Sequence, residues 1–339
     1  MTMTYPTTRP TDATYLDDQP PDLPRKLLNL PWIDVHNHAH TLSWADRERY
    51  ALAGCRAMVM VASGYHWTPY KPVAADDVRY LWDQAIDRLA AIERNHFFEP
   101  SLAIGVQTGV RVTEPQRLVD VMDEYCDLDE VVAVGEVGIR PTQQVSAWPL
   151  EEQRAVLAAQ MEVADRNDLP VILHTPSHLR RPERPYRPDF ELPGFETNAS
   201  LGEDPVVESD DPELEAVEHD VAAADDAGIA DERVVASHAS PDHLPYLLAE
   251  TDWYVSFTIG HPWMTGITAE TVAAAIDEYG PDRIMVDTDA ANVVDSDVFA
   301  IKRAIFELYR FGIDVDEIRQ VVLENPRSVF DIGDSETSD

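Results

Sequence analysis

IDVHNH, residues 33–38, begins as an apolar β-strand and stops on two histidines. Side chains alternate along a strand, so His36 and His38, two apart, point to the same side and can grip one ion. Four more runs end the same way: VVAVGE on Glu136, LPVILH on His174, RVVASH on His238 and RIMVDTD on Asp289. One histidine at a strand end is ordinarily a satisfied polar residue. Six such residues at five strand ends are the donor set of a metal centre, and imidazoles mixed with carboxylates suit zinc or another borderline divalent cation.

Outward from these runs, strand-like segments alternate with amphipathic ones. Strands are expected at 32–37, 56–63, 101–107, 131–136, 169–174, 233–238, 252–258 and 283–288. Helices are expected at 76–94, 114–126, 150–167, 211–227, 268–279 and 295–311. Asp211-Pro212-Glu213 is a helix start, with an N-cap, a proline at the first helical position and an acid in the first turn. Continuous apolar strands are those of a parallel sheet covered by helices. Eight of them predict an α/β fold, a single-domain (β/α)8 barrel whose strand ends ring one crater. The expected organisation is an extended segment over 1–30, with 27–30 leading into the first strand, the barrel over 31–331, and an acidic tail over 332–339. A long Pro-rich, charged loop over 178–210 follows strand five on the active-site face, and connections of that length are usually functional or disordered.

The 339 residues carry a net charge of -37, with Lys only at 26, 71 and 302. Acids spread through most segments fit a surface kept soluble in high salt, where screening limits self-repulsion; a halophilic cytoplasm is the expected setting. Cys55 and Cys126 are too few for a disulfide framework. The N-terminal segment lacks the apolar core of a signal peptide, and no run reaches the ~18 residues needed to span a bilayer. No membrane association or obligate protein partner is expected. G-x-S-x-G, Walker-type and G-x-G-x-x-G motifs are missing, which leaves serine-nucleophile, NTPase and dinucleotide chemistries without support. Strand four ends on Glu136 where some binuclear hydrolases carry a carbamylated lysine, which closes that route.

Two divalent ions account for the donors: His36, His38 and Asp289 for one, His174 and His238 for the other, and Glu136 bridging with its two oxygens. Zinc is expected first, with manganese or magnesium as alternatives. Two ions ~3.5–4 Å apart can share a hydroxide as nucleophile, and Asp289 could take the proton of that water. His40, His66, His96, His178, His219 and His243 lack this strand-end context; His261, just after strand seven, faces the rim and is a candidate substrate contact.

In order along 32–330, these residues resemble the TatD family of metal-dependent hydrolases in the amidohydrolase-like barrel group. IDVHNHAH resembles its D-x-H-x-H opening, VVAVGEVGI its A-x-G-E-x-G-L-D segment, and EEQRAVLAAQMEVADRNDLPVILHT its E-x-Q helix followed by L-P-V-x-x-H. VVASHAS, IMVDTDA and ENPRSVF are similar to its sixth strand, its E-T-D strand and its closing helix. The resemblance implies the same six ligands. The chain departs from the family at His40 (usually Asp), Gln107 (usually the His of G-x-H-P), Ile139-Arg140 and Asp287 (usually Glu). Two substrates stay open. Phosphodiester hydrolysis, DNA included, draws on Arg180, Arg181, Arg184 and Arg187 in the long loop, whose guanidiniums can hold phosphates. Hydrolysis of a small amide, lactone or ester fits the altered residues.

Overall fold

A computed structural model describes residues 24–63, 74–107, 115–139, 149–175, 211–261, 265–292 and 296–333. Eight strands form one sheet: β1 (Trp32–Asn37), β2 (Cys55–Val61), β3 (Glu99–Ile104), β4 (Val131–Val137), β5 (Val171–His174), β6 (Val234–Ser237), β7 (Tyr254–Thr258) and β8 (Ile284–Asp287). Every neighbouring pair is parallel and spatial order follows chain order. The last strand meets the first just past their ends. Asn37 bridges Ala290 in parallel, Asp289 N–H donates to the His36 carbonyl at 2.8 Å, and His38 N–H donates to the Ala290 carbonyl at 2.8 Å. This closure lies beside three of the six candidate ligands.

Nearly every strand residue is buried, as expected for strands packed between a barrel interior and a helical layer. The helices are α1 (Trp44–Ala53), α2 (Ala75–Asn95), α3 (Pro115–Cys126), α4 (Leu150–Arg166), α5 (Pro212–Ala227), α6 (Leu244–Glu250), α7 (Ala269–Tyr279) and α8 (Ala300–Arg310). One follows each strand, which makes a (β/α)8 barrel. In α2 the buried side chains Val78, Trp82, Ala85, Leu89 and Ile92 recur every three or four residues, one stripe of a 3.6-residue helix. Truncating Trp82 to alanine would remove a fully buried ring from that stripe, a change that costs about 3–5 kcal/mol. The predicted start of α5 is present, with Asp211 Oδ1 accepting from Leu214 N–H at 3.1 Å.

Some boundaries differ from expectation. Residues 25–28 form a helical turn before β1, pinned by Lys302 Nζ donating to the Leu28 carbonyl at 2.9 Å. The α1 and α6 segments were not among the expected helices. The first buries only Tyr50 and Ala53 and the second has only seven residues, so neither carries a clear amphipathic repeat. Helical turns over residues 315–330 close the chain beneath β1 and β8, and Asn325 Nδ2 donates to the Pro281 and Ile284 carbonyls at 2.8 Å each. No described helix is long and apolar enough to cross a membrane. The 178–210 loop falls outside the described residues, as do residues 334–339.

Candidate metal centre

Barrel closure brings all six strand-end residues to one crater. His36 sits in β1 and His38 one residue past it; Glu136 is in β4, His174 ends β5, His238 follows β6, and Asp289 lies two residues past β8. His36 Nε2 is 3.9 Å from Glu136 Oε2 and 3.8 Å from Asp289 Oδ1. His38 Nε2 is 3.2 Å from the same Asp289 oxygen. Glu136 Oε1 meets His238 Nε2 at 3.2 Å and lies against His174 Nδ1. Donor atoms of His36, Glu136 and His238 all lie within 4.8 Å of one another, as do those of His36, His38 and Asp289. His174 joins neither triplet and reaches the cluster through Glu136. Side-chain exposure is 14 % for both His174 and Asp289 and at most 8 % for the other four.

Local backbone aims these side chains. His238 and Asp289 take φ values of 60° and 46°, in the left-handed region that non-glycine residues seldom visit. Holding a residue there costs on the order of 1–3 kcal/mol and persists only where the surroundings enforce it. For Asp289 the enforcement is visible: its N–H is bonded to β1, and its carbonyl accepts from His261 Nε2 at 2.6 Å. His261, expected as a substrate contact, is buried and spends its Nε2 on bracing the Asp289 backbone. Gly260 packs so closely that a Cβ there would fall 1.9 Å from the Thr288 carbonyl oxygen, which excludes any other residue.

A layer of polar groups just below fixes the imidazoles. His36 Nδ1 pairs with Ser237 Oγ at 2.7 Å, His238 Nδ1 with Thr258 Oγ1 at 2.7 Å, and His38 Nδ1 with the Val61 carbonyl at 3.0 Å. A carbonyl only accepts, so His38 carries a proton on Nδ1 and turns its Nε2 to Asp289. Glu136 is held at both ends: its N–H donates to Ser63 Oγ at 3.0 Å and its Oε2 accepts from Gln107 Nε2. Gln107 is itself anchored. The buried Gln160 of α4 accepts from Val106 N–H at 2.8 Å and donates to the Val106 carbonyl at 3.0 Å, continuing the β3 ladder with a side-chain amide.

Electrostatics match a cation site. Burial, then the neighbouring His238, pushes His36 down to about 3, so its ring is neutral. Burial would raise Asp289, but a hydrogen bond from His38 and the neighbouring His238 outweigh it and hold the carboxyl well below the usual range. The His36 Nε2 atom is buried without a hydrogen-bond partner, and two carboxylate oxygens flank it beyond hydrogen-bond reach. The neutral His36 turns this nitrogen to carboxylate oxygens, an arrangement that is repulsive unless a positive charge lies between. The donor set of four imidazoles and two carboxylates therefore fits a divalent metal.

The remaining sequence candidates separate cleanly. Arg180, Arg181, Arg184, Arg187, His66, His178 and Arg140 lie outside the described residues. His219 pairs with Glu215 on α5, His243 with Glu213, and His96 packs between Trp44 and Phe98. Ser63, Gln160, Ser237, Ser256 and Thr258 were missed by sequence reasoning, and Asp287 was noted only as a departure from the family pattern. Hydroxyls and amides in apolar runs carry no signal until the barrel stacks them under the ligands.

With this geometry in place, comparison with known proteins is informative. Residues 33–183 match the model of the family described as TatD related DNase. An uncharacterized metal-dependent hydrolase of Methanocaldococcus jannaschii is 22 % identical over 298 residues, covering 88 % of this chain and 99 % of that protein. The crystal structure of a TatD-like protein from Archaeoglobus fulgidus aligns with a TM-score of 0.60 at 18 % identity, over 89 % of this chain and 100 % of that one. A β-aspartyl dipeptidase from Fervidobacterium islandicum aligns with a TM-score of 0.61 at 16 % identity, over 89 % of this chain and 73 % of the other. The last two likenesses bear on the fold alone.

Proposed function

We propose that this chain, a member of the TatD family of metal-dependent hydrolases, cleaves phosphodiesters, with DNA among its substrates. His36, His38 and Asp289 would hold one divalent ion, His174 and His238 the other, with Glu136 between them. One observation carries this assignment: the two oxygens of Glu136 face different histidines, Oε1 toward His174 and His238 and Oε2 toward His36. Divalent ions at these positions would lower the pKa of water and offset charge on the scissile group. Asp289, ionised and partly exposed, would accept the proton of the attacking water, a task within reach of so weak a base only when that water is acidified. His261 keeps the Asp289 backbone in place while its side chain works. Arg180, Arg181, Arg184 and Arg187 are assigned to the substrate's phosphates by their chemistry and their position in the chain after β5.

A second reading, hydrolysis of a small amide, lactone or ester, is favoured by Gln107, which puts a neutral amide against Glu136. Elemental analysis of the purified protein, followed by assays on labelled oligonucleotides and on a panel of esters and lactones, separates the two. Phosphodiester cleavage that is abolished by chelation and restored by zinc or manganese is the expected result. Turnover of esters alone would transfer the assignment to the second reading.

A further inference from the structure

We infer that Asp287 is a positioning residue shared by both ion sites, setting through two hydroxyl relays which nitrogen of His36 and of His238 is free to bind a cation. The inference rests on the ligand assignment above and concerns the layer beneath it. Asp287 ends β8 and is fully buried. Its Oδ2 accepts from Ser237 Oγ at 3.2 Å and Ser256 Oγ at 2.5 Å, and its Oδ1 accepts from Thr258 Oγ1 at 2.7 Å. A hydroxyl has one hydrogen. Ser237 and Thr258 give theirs to Asp287, so toward the imidazoles they can only accept. His36 Nδ1, 2.7 Å from Ser237 Oγ, and His238 Nδ1, 2.7 Å from Thr258 Oγ1, must therefore be the protonated nitrogens. In each ring, when neutral, the lone pair is then on Nε2, which faces the crater: His36 toward Glu136 and Asp289, His238 toward Glu136. His36 belongs to one proposed ion and His238 to the other, so one buried acid governs a ligand of each.

Asparagine at 287 tests this with little change of shape. It leaves one side-chain acceptor for three hydroxyls and adds an N–H pair that itself needs acceptors. At least one hydroxyl must then reverse and donate to an imidazole Nδ1, moving that ring's proton to Nε2. Metal-free protein labelled with 15N-histidine reports the tautomer directly, through long-range 1H–15N correlations. His36 and His238 should be protonated at Nδ1 in the parent, and at least one should shift to Nε2 in Asp287→Asn. Titration of zinc against a chromogenic chelator should show both stepwise affinities reduced by about 10–100-fold, the usual effect of losing a partner behind the ligands. Thr258→Val should loosen one ion and Ser237→Ala the other, and these two variants carry the test should Asp287→Asn fail to fold. Unchanged tautomers, or an Asp287→Asn protein that binds two ions as tightly as the parent, would overturn the relay. A parent that takes up no ion while keeping the Nδ1 tautomers would instead overturn the ligand assignment and leave the relay standing as hydrogen-bond architecture.

Discussion

Two pairs of acids sit one above the other in the barrel mouth, and they are treated in opposite ways. Asp34 and Asp287 form the lower pair, each two residues before a candidate ligand on its own chain segment, His36 and Asp289. Asp34 Oδ2 accepts from Thr288 Oγ1 at 2.6 Å and Tyr50 OH at 3.0 Å, and Oδ1 accepts from Thr288 N–H at 3.1 Å. Asp287 has its three hydroxyls. Glu136 and Asp289, the upper pair, look mainly at imidazole nitrogens. A buried carboxylate must be answered by donors or by a cation. The lower pair is answered by O–H and N–H groups, so it closes the floor. The upper pair faces imidazoles and suits a divalent cation, so it marks the candidate site.

That contrast breaks first at Glu136. Glu136→Ala should lower turnover on the order of a thousandfold, because it removes both the bridge and a preorganised charge at the reacting centre. Elemental analysis should show fewer than two ions per chain in the same sample. A variant with undiminished metal and activity would mean the upper acids are as self-contained as the lower ones.

Gln107 lies between the two kinds of environment, a neutral donor reaching up to an upper-layer acid. Gln107→Leu should weaken metal binding by about 10–100-fold, as removal of an orienting partner does. Gln160→Leu, which frees the Val106 backbone behind it, should act in the same direction and less strongly. Metal affinity that is unaffected by either change would show that Ser63 alone orients Glu136.

How much of this could be read from the chain follows from the same division. The upper layer was conspicuous because each candidate ligand terminates an apolar run, and a strand that stops on His, Glu or Asp stands out in a one-dimensional pattern. The eight strands were legible for the same reason, with ends displaced by one to three residues where the ladder stops before the apolar run does. The lower layer was not. Ser237 in VVAS and Ser256 in YVSFT are ordinary strand residues, and only the registers Ser237↔Ser256 and Thr258↔Asp287 reveal that they share a floor. His238 and Asp289 gave no warning of their left-handed backbone, since that conformation usually announces itself with glycine.

The lower layer should also leave a signature in stability against pH. Burial first, and then Asp287, pushes the Asp34 carboxyl up to about 7, against hydrogen bonds from Thr288 and Tyr50 that lower it. Between about pH 4 and 7 the folded state then keeps a proton that the unfolded chain has released. Stability from this group is complete below the unfolded value and declines as pH rises, by up to about 1.4 kcal/mol per unit, until the folded value is passed. Asp34→Asn should lack that decline. Denaturant titrations of metal-free parent and variant across this range would give the difference curve; a flat one would mean the floor is not dry enough to hold a proton.

The smallest expected effect comes from an acid outside both layers. Asp123 on α3 takes a two-pronged contact from Arg166, whose Nε lies 2.7 Å from Oδ1, and a bond from Asn167 Nδ2 at 2.9 Å. Arg166 holds its carboxyl below the usual range, as a good ion pair should. Yet both side chains are about two-fifths exposed, at 40 % and 42 %, and water competes for every one of these contacts. Exposed pairs contribute about 0–1 kcal/mol, so Asp123→Asn should move the melting temperature by no more than about 3 °C. At 1 M salt, where the Debye length is about 3 Å, even that shift should shrink. Melting curves at low and high salt give the answer. A loss at Asp123 as large as that at Asp34 would mean that charge pairing, and not burial, separates the acids of this barrel, and the two-layer account of its mouth would lose its physical basis.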